Sequence, residues 1–177
     1  VMTLSKAGAK IVDIPLQMLA EISQINAKGG FSAAEAYAFH RKAIDLNGRL
    51  YDPRVLKRIM RGAEQGAADY IELINARSDF IARITEILSL YDALIMPTVP
   101  MVPPAIAALA EDRDYVRLNA MSLRNTTLFN VLDGCSISMP MTPRGEAPAG
   151  LMLAAAHGSD DRLFATALAV EAIVSPR

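Results

Sequence analysis

Residues Asp92 to Pro104 read DALIMPTVPMVPP. The first half is an unbroken apolar run, Ala93-Leu94-Ile95-Met96, which suits a buried strand. Prolines 97, 100, 103 and 104 follow at once, each withdrawing a backbone donor, so no sheet can continue through them. The segment nevertheless stays apolar. Leu94–Met96 is therefore expected to be a central strand, with Pro97-Thr98-Val99-Pro100 as a rigid apolar loop leaving its end, where open α/β sheets commonly bind ligands. Proline suits such a wall because it fixes shape without backbone donors and loses little entropy on ordering. These four residues are the first pocket candidates; a stiff loop that merely covers the core is the alternative.

The same region decides the question of a membrane span. Ala93 to Ala110 is almost uncharged and long enough to cross a bilayer, but its prolines would strand backbone groups in hydrocarbon. No membrane partner is expected.

With 177 residues, 52% hydrophobic and 21% charged, the chain is globular and can bury a real core. Lys and Arg number 18 against 19 Asp and Glu, a net charge of −1 without a basic stripe, so no nucleic-acid partner is expected. Cys135 is the single cysteine, which excludes an internal disulfide and a multi-cysteine zinc site. Nothing at the start resembles a secretory signal, and a reducing cytoplasm is the expected location.

Outward from the proline segment the pattern alternates. Val1 to Gly8 reads as a helix tail with a glycine C-cap, Lys10 to Ile14 as a short strand closed by Pro15, and Leu16 to Gly29 as helical. The uncapped start looks like the middle of a longer fold. Ser32-Ala33-Ala34-Glu35 has capping-box spacing, which makes Ser32 an expected N-cap rather than a nucleophile, and Asp52-Pro53 opens a further helix. Gly62 and Gly66, set among charged residues, point to a helix break or a close helix crossing. Asp114–Leu132 is predicted helical, Cys135–Met141 and Gly150–Ala156 are predicted strands joined by hairpin chemistry, and a helix capped at Ser159 or Asp160 runs to Ile173. This order indicates an α/β layered fold with a mixed β-sheet flanked by helices.

Chemistry-bearing residues are few. His40 and His157 lie far apart and form no ligand spacing, so neither metal nor cofactor is expected. Cys135 follows Asp133-Gly134 at a strand mouth, where a buried structural thiol is expected over a catalytic one because nothing places a base beside it. Asp160-Asp161 suits the positive end of a helix dipole. No GxSxG, P-loop or GxGxxG occurs.

Several segments together resemble one family, the amidase-signature hydrolases. KAGAKIVDIPL at 6–16, DPRVLKRIMRG at 52–62 with AADYIELINAR at 67–77, YDALIMPTVP at 91–100, RNTTLFNVLDGCSISMP at 124–140 and GEAPAGLMLAAAHGSDDRLFATALAVE at 145–171 are similar to elements of its C-terminal third. The motifs are unspecific one by one; their order and spacing carry the resemblance. It implies that 1–177 is the C-terminal portion of a single amidase-signature domain, and that the whole protein hydrolyses a carboxylic amide to an acid plus ammonia or an amine. The family uses a serine nucleophile, a second serine in a cis peptide and a lysine, all N-terminal to the segments matched here. No catalytic residue carries over, since Gly29-Gly30-Phe31-Ser32 lacks the serine pair and no lysine fits, so the chain alone is expected to be inactive. Its expected partners are a small-molecule amide, the missing N-terminal part of its own fold and, through open sheet edges, a second copy. Asp133 and Cys135 stand where many members have glycine and proline, which favours a stand-alone amidase over one subunit of a tRNA amidotransferase. Cys135 joins Pro97, Thr98, Val99 and Pro100 as a substrate-pocket candidate. The rival reading is a natural non-catalytic binding or partner module of the same architecture.

Overall fold

A computed structural model describes residues 1–174. The chain divides into two compact units, one made of Val1–Pro15 and the residues from Ile81 onward, the other of Leu16–Phe80.

The first unit is built on three strands, β1 (Leu94–Pro97), β2 (Cys135–Pro140) and β3 (Gly150–Ala155), in the order β1-β3-β2. The α/β class is as expected, and both pairings within this chain are antiparallel. β3 is the central strand, and β1 lies at an edge, which corrects the expectation for Leu94–Met96. The prolines give the physical reason. Thr98 N donates to Gly150 O at 2.9 Å and Met141 N to Ala149 O at 2.9 Å, so by antiparallel alternation Pro97 and Pro140 fall at positions whose amides face away from β3. Edge strands tolerate that arrangement, whereas a central strand would lose a ladder bond. Lys10–Ile14 is not a strand, because it pairs with none of these three and a strand without a partner leaves its backbone groups unsatisfied.

Pleating divides the sheet residues between two faces. Ile137 and Met139 of β2, Leu151, Leu153 and Ala155 of β3, and Ile95 of β1 pack with Leu163, Ala167 and Val170 of helix α7 (Asp160–Val174). Ser136 and Ser138 alternate with the buried residues and face the other way. On that second face β3 presents Met152 and Ala154, both almost fully buried, so the central strand is covered on both sides.

Helix α1 (Met2–Lys6) packs beside α7, and helix α6 (Asp112–Leu132) runs two residues longer at its start than expected. Asp133 ends α6 in the left-handed conformation, φ 57°, and Gly134 N closes the turn onto Phe129 O at 3.0 Å, a Schellman-type stop. Gly134 itself is required by crowding: a Cβ there would lie 2.7 Å from Ala155 O. A 3₁₀ turn at Ile106–Leu109 follows the proline segment.

The second unit is helical. A 3₁₀ turn at Gln17–Ala20 leads into α2 (Glu21–Ile25), and α3 (Gly30–Asn47) starts at Gly29, not at Ser32. Gly29 takes φ 101° and Gly30 φ 63°, a reversal that brings the helix start three residues earlier and leaves Ser32 inside the first turn. Helix α4 (Pro53–Met60) is capped as expected, with Asp52 Oδ1 accepting from Arg54 N at 2.8 Å and Val55 N at 3.1 Å. Gly62, in the 3₁₀ turn Arg61–Glu64, marks both a helix break and a close crossing. A Cβ there would meet Ala33 O at 2.1 Å.

Helix α5 (Ala67–Leu88) begins where Asp69 Oδ2 accepts from Gly66 N at 2.9 Å. Lys28 Nζ donates to Asp69 Oδ1, and this bond, with the Gly66 amide second, holds the Asp69 carboxyl below its ordinary range. The Lys28 ammonium is held above its ordinary range by the same bond. Arg61 Nη2 and Gln65 Nε2 donate to Ala27 O and Lys28 O, both at 2.7 Å, so the loop before α3 is tied down by polar side chains.

Candidate functional site

The Gly150 end of the sheet opens into a cavity of about 910 Å³ within the first unit. One wall is the whole segment 97–104; Ser122 of α6, Ser138 and Pro140 of β2, and residues 148–150 complete it. The prolines at 97, 100, 103, 104, 140 and 148 supply rigid apolar surface with no amide to satisfy. Asn125 Nδ2 on α6 donates to Pro97 O at 2.6 Å, which fixes the loop where it leaves β1.

At the centre of this arrangement the hydroxyls of Thr98 and Ser138 meet at 2.5 Å. Gly150 makes the meeting possible, because a Cβ at 150 would lie 2.7 Å from each hydroxyl oxygen. Thr98 stands opposite Gly150 through its backbone bond, and Ser138 lies diagonally across on β2, on the same face. The pair thus depends on a glycine of β3 between Thr98, just beyond the end of β1, and Ser138 of β2.

The structure brings Pro97, Thr98, Val99 and Pro100 together in one wall. Cys135 lies elsewhere. It is at the opposite end of β2 from Pro140, half-buried among the α7-facing core, with its thiol directed to Ala156 O at 3.5 Å and Ala155 O at 3.8 Å. The separation has a simple cause: β2 is six residues long, and Cys135 and Pro140 are its two ends. Met101–Pro104, Ser122, Ser138, Pro140 and Pro148–Gly150 were missed by sequence reasoning. The Ser-x-Ser alternation in CSISMP was the available signal for Ser138, since it places both serines opposite the apolar face.

Among the described residues, no side chain lining the cavity is ionisable. A hydroxyl becomes a nucleophile only when a base takes its proton; Thr98 and Ser138 have each other as partner, and the Ser122 hydroxyl donates to Asn119 O at 2.9 Å. The cavity can therefore hold and orient a molecule but has no group with which to move a proton. The two histidines are engaged away from it. His40 Nδ1 contacts Tyr51 Oη at 2.9 Å in the second unit, and His157 Nδ1 contacts Asp133 O at 3.2 Å beside the end of α6. Among the described residues no group of three or more His, Cys, Asp or Glu could hold a metal ion, and no helix is long and apolar enough to cross a membrane.

Three relatives frame this site. The chain is 28% identical over 175 residues to 2-amino-5-chloromuconic acid deaminase of Comamonas testosteroni, covering 98% of this chain and 38% of the deaminase. It is 31% identical over 131 residues to one subunit of the glutamyl-tRNA(Gln) amidotransferase of Saccharolobus solfataricus, 71% of this chain and 26% of that relative. Allophanate hydrolase of Kluyveromyces lactis superposes with a TM-score of 0.86 at 24% identity, over 99% of this chain and 29% of the hydrolase, which establishes the shared fold. The chain thus spans well under half the length of each relative. The Amidase family model matches residues 1–164, and the chain belongs to the amidase family.

Proposed function

We propose that residues 1–177 are the C-terminal portion of an amidase domain, in a protein that hydrolyses a carboxylic amide to an acid and ammonia or an amine. In this reading the chain contributes the sheet core and one wall of the substrate pocket, with Pro97, Thr98, Val99 and Pro100 in that wall. Cys135 is assigned to packing. The nucleophile, its base and the oxyanion donors come from the part of the fold that precedes these residues. The observation that carries the proposal is the family match over a segment whose cavity is walled by proline and hydroxyl side chains and has no proton-transfer group.

A stand-alone, cytoplasmic amidase acting on a small molecule fits better than a component of an amidotransferase, because the small-molecule deaminase aligns with nearly the whole chain. Exposed Phe39, Leu46, Phe164 and Leu168 support self-association when the remaining residues of the fold are absent.

Expression of the reading frame that includes whatever is encoded before Val1 tests the proposal, with ammonia release measured over neutral and charged amides. Turnover of at least one simple amide is expected. A frame that starts at Val1, with no ammonia released, would leave a non-catalytic module as the better reading.

A further inference from the structure

We infer that the cavity at the Gly150 end of the sheet receives the uncharged, apolar acyl or aryl part of the substrate and disfavours amides bearing a second carboxylate. That the substrate is an amide rests on the function proposed above; the selectivity rests on the wall itself. A carboxylate leaving water for this cavity would meet proline, valine and methionine and one free hydroxyl hydrogen, with no Arg, Lys or His among the described residues of the wall to replace the rest of its lost hydration. Arg124, two residues beyond Ser122 on α6, directs its Nε to Asn125 Oδ1 at 3.3 Å and is not part of the wall. An arylalkyl group has no such loss to make good, and a cavity of about 910 Å³ has room for it.

The hydroxyl pair adds direction to an otherwise featureless surface. Two hydroxyls hold two hydrogens, and the contact between Thr98 and Ser138 uses one of them. The second remains for a carbonyl or ether oxygen of the bound molecule. A carbonyl or ether oxygen is thus oriented by one hydrogen bond in a site that otherwise selects by apolar contact and shape.

Equilibrium binding to the purified 177-residue chain separates these claims from catalysis. Titration calorimetry with 4-phenylbutanamide and with 4-carbamoylbutanoate compares two amides of equal chain length, one ending in phenyl and one in carboxylate. The phenyl amide is expected to bind about tenfold or more tightly, roughly 1.4 kcal/mol. Val102→Lys places a cation in the wall at a side chain 56% exposed, so the fold has no reason to change, and it is expected to shift the preference several-fold toward the carboxylate. Equal affinity, preference for the carboxylate in the parent chain, binding of neither compound, or a preference that Val102→Lys leaves untouched would each overturn the inference. Failure of the longer protein to release ammonia would instead remove the amidase reading and leave the binding selectivity standing.

Discussion

Asp133 is the only non-glycine residue with positive φ among the described residues, at 57°, and the glycine that would suit that backbone stands one position later. Gly134 cannot be exchanged with it, since a Cβ at 134 would lie 2.5 Å from Leu132 Cδ1 and 2.7 Å from Ala155 O. Two substitutions should therefore act in opposite directions in urea unfolding. Asp133→Gly relieves the left-handed backbone and is expected to stabilise by about 0.5–1 kcal/mol, while Gly134→Ala is expected to cost about 1–3 kcal/mol by overpacking. Sequence reading located the turn at Asp133-Gly134 but not which residue takes the unusual φ, because that choice depends on the approach of β3, distant in the chain. Ser138 and Thr98 show the same limit. Their contact spans forty residues and requires a glycine on β3, so no local pattern contains it.

Helix starts were legible where the cap is a side chain and obscure where it is glycine. Asp52 with Pro53 was read directly, and Asp52→Ala should cost about 1 kcal/mol by removing the acceptor for the Arg54 and Val55 amides, measurable in urea. Ser32 misled because its spacing to Glu35 imitates a capping box, whereas paired positive-φ glycines start α3 earlier. The beginning of α5 carries a pH dependence. Because the folded pKa of Asp69 is lowered, its contribution is present above the ordinary carboxylate range and is lost as pH falls through the lowered value. Lys28 has the converse behaviour: its pKa is raised, so its contribution is present below the ordinary lysine range and fades only as alkaline pH passes the raised value. Lys28 is exposed and Asp69 only partly buried, so water screens the pair and the effect is correspondingly modest. Asp69→Asn should flatten the acid limb of a stability-against-pH curve relative to the parent; an unchanged acid limb would show that the ion pair has no thermodynamic weight. The strand at Lys10–Ile14 was misread because an apolar run shows propensity, while pairing requires a neighbour that a sequence pattern does not supply.

At the scale of the molecule, the α/β class and the apolar character of the 97–104 wall were visible in the sequence, since both follow from runs of residue type. Strand order and the remaining walls of the cavity were not, because they depend on β3 lying between β1 and β2. Size-exclusion chromatography with light scattering should find the 177-residue chain associating with itself as concentration rises, driven by side chains such as Phe39 and Leu168 that are mostly exposed. A concentration-independent monomer would count against that. Under the proposed function labour is divided, with substrate contact in this chain and proton transfer outside it. The most direct test of that division is ammonia release from 4-phenylbutanamide by the purified 177-residue chain. The expected rate is indistinguishable from that of the uncatalysed reaction; turnover in the range of about 1–10³ s⁻¹ would contradict that division.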